Sequence, residues 1–203
     1  DSSDILVTAD RLDSTPLILT GNTNSLYSFF VLDLKADGPT VVEVPPGVMG
    51  PMDDHNFLFL ADVGPTGQDK GKGGKYLILP PGYEGKVPDG YFVVRSPTNM
   101  AFSFLRANVD VVGSGEKALK FYRENAKVYS LKTGPREPRV TNVSGLAANT
   151  LPPEDASAFK WMHEIISYEP ADAFGKELLG KLASLGIEKG KPFKPDARMQ
   201  QIF

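Results

Sequence analysis

The chain of 203 residues contains no cysteine. That absence removes thiol nucleophiles, zinc–thiolate centres, iron–sulfur clusters and disulfides together. It leaves the redox compartment open, because a cysteine-free chain is stable in either environment. Histidine is scarce, with two residues, and tryptophan occurs once. No apolar run approaches the ~18 residues that a membrane-crossing helix needs, so no membrane span is expected. Neither G-x-x-x-x-G-K-[ST] nor G-x-G-x-x-G occurs, and the G-x-S-x-G elbow that presents a serine nucleophile is also missing.

What is present suits a folded domain. Hydrophobic residues make up 41% and charged residues 23% of the chain, close to the globular average. With 20 glycines and 17 prolines, it is punctuated too heavily for a helical bundle. The net charge of −3 is divided unevenly: residues 1–100 hold 13 acidic against 7 basic side chains, and residues 101–203 hold 12 against 15. An acidic first half excludes nucleic acid as an expected partner, since binding phosphates requires a cationic surface.

Strand-length apolar runs fill the first half. Over Leu26–Leu34, alternation puts Leu26, Ser28, Phe30, Leu32 and Leu34 on one face and Tyr27, Phe29, Val31 and Asp33 on the other. Similar runs occur at Thr40–Val44, Asn56–Val63, Tyr76–Leu79, Tyr91–Arg95 and Met100–Leu105, with weaker ones at Ile5–Thr8 and Leu17–Thr20. Turn signals such as Asp37-Gly38-Pro39 and Pro88-Asp89-Gly90 separate them. This spacing predicts a mainly β protein, a sandwich or barrel over residues 1–113, in a domain reaching residue 132 with a flanking helix near 115–128. Residues 133–153, with four prolines and two glycines, read as an extended connector. Residues 154–203 read as helical: Glu154–Tyr168 striped by Phe159, Met162, Ile165 and Ile166, then Ala171–Leu185 striped by Phe174, Leu178, Leu182 and Leu185. A third helix opens at Pro195-Asp196 and stops at Phe203, so the chain reads as truncated inside an element. Its opening on Asp1 fits a removed signal peptide or a fragment.

Few residues carry a chemical signature. Gly64–Gly74 (GPTGQDKGKGG) reads as a long flexible hairpin loop, with Lys70, Lys72 and the adjacent Lys75 as candidates for contact with an anion. Asp53-Asp54-His55 is the densest titratable cluster and a weak metal candidate. Consecutive strand residues point to opposite faces, so the expected role of Asp54 is to cap a turn and no metal site is expected. The other imidazole, His163, reads as a helix-surface or interface residue. The aromatics Tyr27, Phe29, Phe57, Phe59, Tyr76, Tyr91, Phe92, Phe102 and Phe104 either fill the core or line a ligand pocket. Asn142-Val143-Ser144 has the form of a glycosylation sequon. No cofactor is implied.

Tyr83–Asn99 (YEGKVPDGYFVVRSPTN), preceded by Gly71–Pro81 (GKGGKYLILPP), closely resembles the bacterial domain of unknown function 1254 family. Asn22–Gly47 is similar to that family's N-x-[DN]-[ST]-x-Y segment and the LDLK-x-DGP-x-VVEVPPG stretch that follows, and Glu177–Met199 resembles its downstream helical connector. The resemblance implies an antiparallel, jelly-roll-like sandwich as the N-terminal domain of a longer protein whose second β-rich half, a domain of unknown function 1214, follows the connector. It also implies an exported location, periplasmic or secreted. Asn24 stands where many relatives carry Asp, and Asn56 and Phe57 stand where relatives show bulky aromatics. Carried over position by position, the candidates are Asn22, Asn24 and Tyr27, then Asp54, then Arg95, Thr98 and Asn99. Arg95 is expected to pair with a buried acid, Asp33 or Asp62, or else to face a ligand.

Two function classes follow. One is a module for assembly or ligand binding, the N-terminal half of a two-domain protein, with the missing C-terminal β-rich domain and further copies of itself as partners. The alternative is a hydrolase or lyase on a small or carbohydrate-like substrate, with Tyr27, Asp54 and Arg95 converging beneath the Gly/Lys loop.

Overall fold

A computed structural model describes residues 4–15, 21–147 and 151–202. It divides into two units, Asp1–Asn149 and Thr150–Phe203. The first is built from ten strands: β1 (Asp4–Val7), β2 (Ser25–Asp33), β3 (Thr40–Val44), β4 (Val48–Asp54), β5 (Phe59–Val63), β6 (Gly74–Leu79), β7 (Phe92–Arg95), β8 (Met100–Asn108), β9 (Lys127–Ser130) and β10 (Arg139–Asn142). Short helices α1 (Leu34–Asp37) and α2 (Val109–Val112) and the longer α3 (Glu116–Asn125) interrupt them. The expected strand Leu17–Thr20 lies outside the described residues.

The strands form a six-stranded sheet, β10-β1-β2-β8-β4-β5, and a four-stranded sheet, β7-β6-β3-β9. Alternation decides which side chains meet. Leu26, Phe30 and Leu32 of β2, Leu105 and Ala107 of β8, and Met52 of β4 join Val42, Val44, Tyr76, Ile78, Val94 and Val128 of the other sheet in one buried cluster. Ala118, Leu119 and Tyr122 of α3 pack into the same cluster. Burying each large apolar side chain contributes roughly 1.5–3 kcal/mol, so this shared core holds the two sheets together.

The structure corrects several expectations. The sheets are not wholly antiparallel: β1 pairs parallel with β10, and β6 parallel with β7. The expected helix to residue 128 ends at Asn125, because Lys127–Ser130 alternates and adds an edge strand. The expected connector contains β10, whose RVTN sequence lacks an apolar face; it pairs with β1, and Arg139 bonds Asp4 at 2.5 Å. Gly50 and Pro51 hid β4 from the sequence pattern. Its ladder to β8 skips these two residues, which suits a proline without an N–H, and a Cβ on Gly50 would lie 2.4 Å from the Phe104 carbonyl oxygen.

The second unit holds α4 (Ser157–Tyr168), a single 3₁₀ turn at Ala171–Ala173, α5 (Lys176–Ser184) and α6 (Ala197–Ile202). Ile166, Leu182 and Ile187 form its centre, with Phe159 and Phe174 against them. Lys189 Nζ donates to the carbonyls of Ser167 and Glu169, each at 2.7 Å, capping the end of α4. Met162 and Ile165, expected in the buried stripe, are 41% and 37% exposed, beside Trp161 at 53%. Among the described residues no helix is long and apolar enough to cross a membrane.

Candidate functional site

The two sheets treat their outer faces differently. On the four-stranded sheet, Val41, Leu77, Leu79 and Tyr129 point away from the shared core yet are buried, covered by Tyr83, Val87 and Tyr91. Those three lie in the connection from β6 to β7. Parallel neighbours need a long crossover, and this one runs over the sheet and seals it. Tyr129 donates a hydrogen bond to Glu43 Oε1 at 2.5 Å, and Lys75 pairs with the same carboxylate at 3.2 Å. Burial first, then that bond to Glu43, pushes the Tyr129 hydroxyl well above the usual tyrosine range. Arg95 donates to the Tyr83 carbonyl at 3.2 Å, so it tethers the crossover instead of pairing with Asp33 or Asp62.

The other sequence candidates fall into separate local networks. Asn22 Oδ1 accepts from the Asn24 amide at 2.6 Å, and the Asn22 amide donates to Tyr27 Oη at 2.8 Å, an Asx-type turn leading into β2. Asp54 is fully buried and Oδ1 accepts from the amides of Asn56 and Leu58, capping the β4–β5 turn, while its other oxygen has no hydrogen-bond partner among the described residues. Thr98 Oγ1 accepts from the His55 amide at 3.0 Å and donates to the Met100 carbonyl, and the Asn99 carbonyl accepts from Leu34. Ser96-Pro97-Thr98-Asn99, with Ser96 and Thr98 buried, is thus a brace between β7 and β8. Register places Asp54 level with Leu32, five residues along β2 from Tyr27, which is about 16 Å, and on the opposite face of the sheet. Arg95 belongs to the other sheet. Tyr27, Asp54 and Arg95 do not converge.

The Gly/Lys loop is held firmly, against the expectation of flexibility. Asp69, buried, accepts from the Gly64 amide at 2.8 Å, the Gly73 amide at 3.1 Å and the Tyr76 hydroxyl at 2.7 Å. Burial, then the bond to Asp69, raises the Tyr76 hydroxyl far above its ordinary range. Lys70 and Lys72 lie exposed on this loop. Among the described residues no three His, Asp or Glu side chains group as metal ligands; Asp53 faces outward and Asp54 inward. His163 lies on α4, where Nε2 contacts the Lys191 carbonyl at 2.7 Å and the ring stacks on Phe193.

The outer face of the six-stranded sheet has no comparable cover among the described residues. Register aligns Leu6, Phe29 and Phe104 in one row and Val31 with Phe102 in the next. Tyr27 stacks on Phe104 at 5.0 Å, Phe29 lies 5.0 Å from the same ring, and Phe57 sits 4.7 Å from Phe102. Val31 is 53% exposed, Phe57 78% and Phe59 64%. A groove of about 440 Å³, lined by Tyr27, Met49, Asp62, Thr66, Phe104 and Arg106 among others, opens at one end; another of about 640 Å³ lies by Leu6, Val31, Asp33 and Met100. Asp53 holds its carboxyl above the ordinary carboxylate range through burial, then through Asp54 and Asp62. Met49, Asp62 and Arg106 went unnamed as site residues. The available signal was that β2 and β8 carry apolar side chains on both faces, which a sheet with one wet face does not need.

The sequence profile described as "Protein of unknown function (DUF1254)" matches residues 4–130. The chain belongs to this family. The match ends at β9 and contains both sheets except β10. Among solved structures, the chain is similar to the VPA0106 protein from Vibrio parahaemolyticus, with a TM-score of 0.62 and 19% identity. That likeness covers 94% of this chain and 48% of the other, so the chain spans about half the length of that relative. No curated protein matches in the corresponding sequence comparison. The family-like segments quoted from the sequence carry strands β2, β3, β6 and β7 with their turns, the sealing crossover and most of α5.

Proposed function

We propose that this chain is a non-catalytic sandwich module of the jelly-roll kind, which works in assembly or ligand binding through the outer face of its six-stranded sheet. The observation that carries this reading is the exposure of Val31, Phe57 and Phe59 around the half-buried Phe29, Phe102 and Phe104 on this face, while the opposite sheet is sealed by its own crossover. Large exposed apolar patches on soluble domains mark interaction sites. The reading takes the chain as the N-terminal half of a two-domain protein, with a β-rich second domain or further copies as the macromolecular partners. Half-length coverage of the solved relative supports it. The dispersal of Tyr27, Asp54 and Arg95 weighs against the hydrolase or lyase alternative.

Sedimentation velocity on the natural protein tests this. An assembly or a fixed domain pairing is expected, and Val31→Asp should loosen it, because a charge there meets a desolvated partner. Unchanged behaviour of Val31→Asp and Phe59→Asp would remove the support for this face.

A further inference from the structure

We infer that the groove beside Arg106 is a binding site for a small ring compound bearing a carboxylate and a hydroxyl, such as a hydroxylated aromatic acid. The inference rests on the reading of the outer sheet face as a binding surface, and names a ligand class for one end of it.

Three pieces of sequence converge there. The Asn22–Tyr27 turn fixes Tyr27, whose Oη accepts from the Asn22 amide, and Tyr27 stacks within 7° of parallel on Phe104. The Gly/Lys loop contributes Pro65 and Thr66 as a wall, and Asp69 pins that wall through Gly64 and Gly73. Gly64 is required here: its φ is +95° and an added Cβ would lie 2.6 Å from Met49 Cβ. β8 supplies Arg106, in register between Tyr27 and Met49.

The lining divides into an apolar floor of Phe104, Met49 and Pro51 and three polar groups, Arg106, Asp62 and Thr66. The Arg106 guanidinium has no ion-pair or hydrogen-bond partner among the described residues, and neither has the Asp62 carboxylate. A free guanidinium fits a carboxylate in a bidentate pair, and a carboxylate accepts from a hydroxyl. A planar ring on the apolar floor spans the two. At about 440 Å³ the groove is within the size range of small-ligand sites, and its pinned walls spare the ordering that binding would otherwise require.

The probe is para-hydroxybenzoate, titrated into the ¹⁵N-labelled chain, with benzoate and inorganic phosphate as comparisons. Saturable shifts are expected at the amides of Met49, Thr66, Phe104 and Arg106. Arg106→Gln should weaken the affinity about tenfold or more, and benzoate should bind less tightly for lack of the hydroxyl. Asp62→Asn should reduce the preference for para-hydroxybenzoate over benzoate. Absence of saturable shifts, shifts confined elsewhere, or equal binding by Arg106→Gln would overturn the inference; so would a phosphate affinity equal to that of the acid. Sedimentation of Arg106→Gln separates this from the parent reading. If that variant assembles normally and Val31→Asp does not, failure of the titration removes the ligand class alone.

Discussion

The outer faces of the two sheets are both apolar, yet one is interior and the other is surface. Leu77, Leu79 and Tyr129 lie under Tyr83, Val87 and Tyr91, while Val31, Phe57 and Phe59 meet solvent. The cause is connectivity. β6 and β7 are parallel neighbours, so the chain must cross the sheet between them and can cover it on the way. The central strands β2, β8 and β4 of the larger sheet pair antiparallel, and antiparallel neighbours do not require a crossover over the face. Where topology supplies no cover, aromatics remain for something else to meet.

The largest effect should come from truncating equivalent positions on the two faces. Leu79→Ala should lower the unfolding free energy by about 2–5 kcal/mol, as for any buried leucine. Val31→Ala should change it by no more than ~0.5 kcal/mol in the chain alone. Urea denaturation of both variants checks this, and similar losses at both sites would break the comparison.

A smaller effect is expected at the tether of the sealing loop. Arg95→Gln removes the bond to the Tyr83 carbonyl and should cost about 1 kcal/mol. Amide exchange should quicken over residues 83–91 more than elsewhere. Uniform loosening, or none in that segment, would deny the crossover its role as a lid.

The smallest sharpens the bare face. An acid whose pKa is raised on folding weakens the fold when ionised, so its contribution is lost as pH rises through that pKa. Asp53→Asn removes this loss. The variant should be slightly more stable than the natural chain at neutral pH, and the gap should close as pH falls toward the ordinary value of 3.8. A thermal-melt series across pH reads it, and a variant less stable at neutral pH would contradict the assignment.

Much of this architecture was legible in the sequence, wherever a strand alternates plainly. Leu26–Asp33 showed both its faces, and the Leu/Phe face went into the core as alternation requires. β4 was hidden by Gly50-Pro51, and β10 by its polar RVTN sequence; long-range pairing holds each, and local pattern does not register it. The same limit applied to the site. Tyr27 was visible as a candidate, but its neighbours Arg106 and Met49 come from strands far along the chain and meet it only through register. Arg95, Thr98 and Asn99 stood out through their segment's family resemblance, and in the structure that segment braces β7 against β8 and tethers the crossover.

Hydroxyl-radical footprinting of the chain alone and of the assembled natural protein bears most directly on the difference between the two faces. In the chain alone, Val31, Met49, Phe57 and Phe59 should react readily, while Leu77, Leu79 and Tyr129 resist. In the assembled protein the first group should become protected and the second should not change. If the first group stays as reactive in the assembly as in the chain alone, the outer face of the six-stranded sheet is not the working surface.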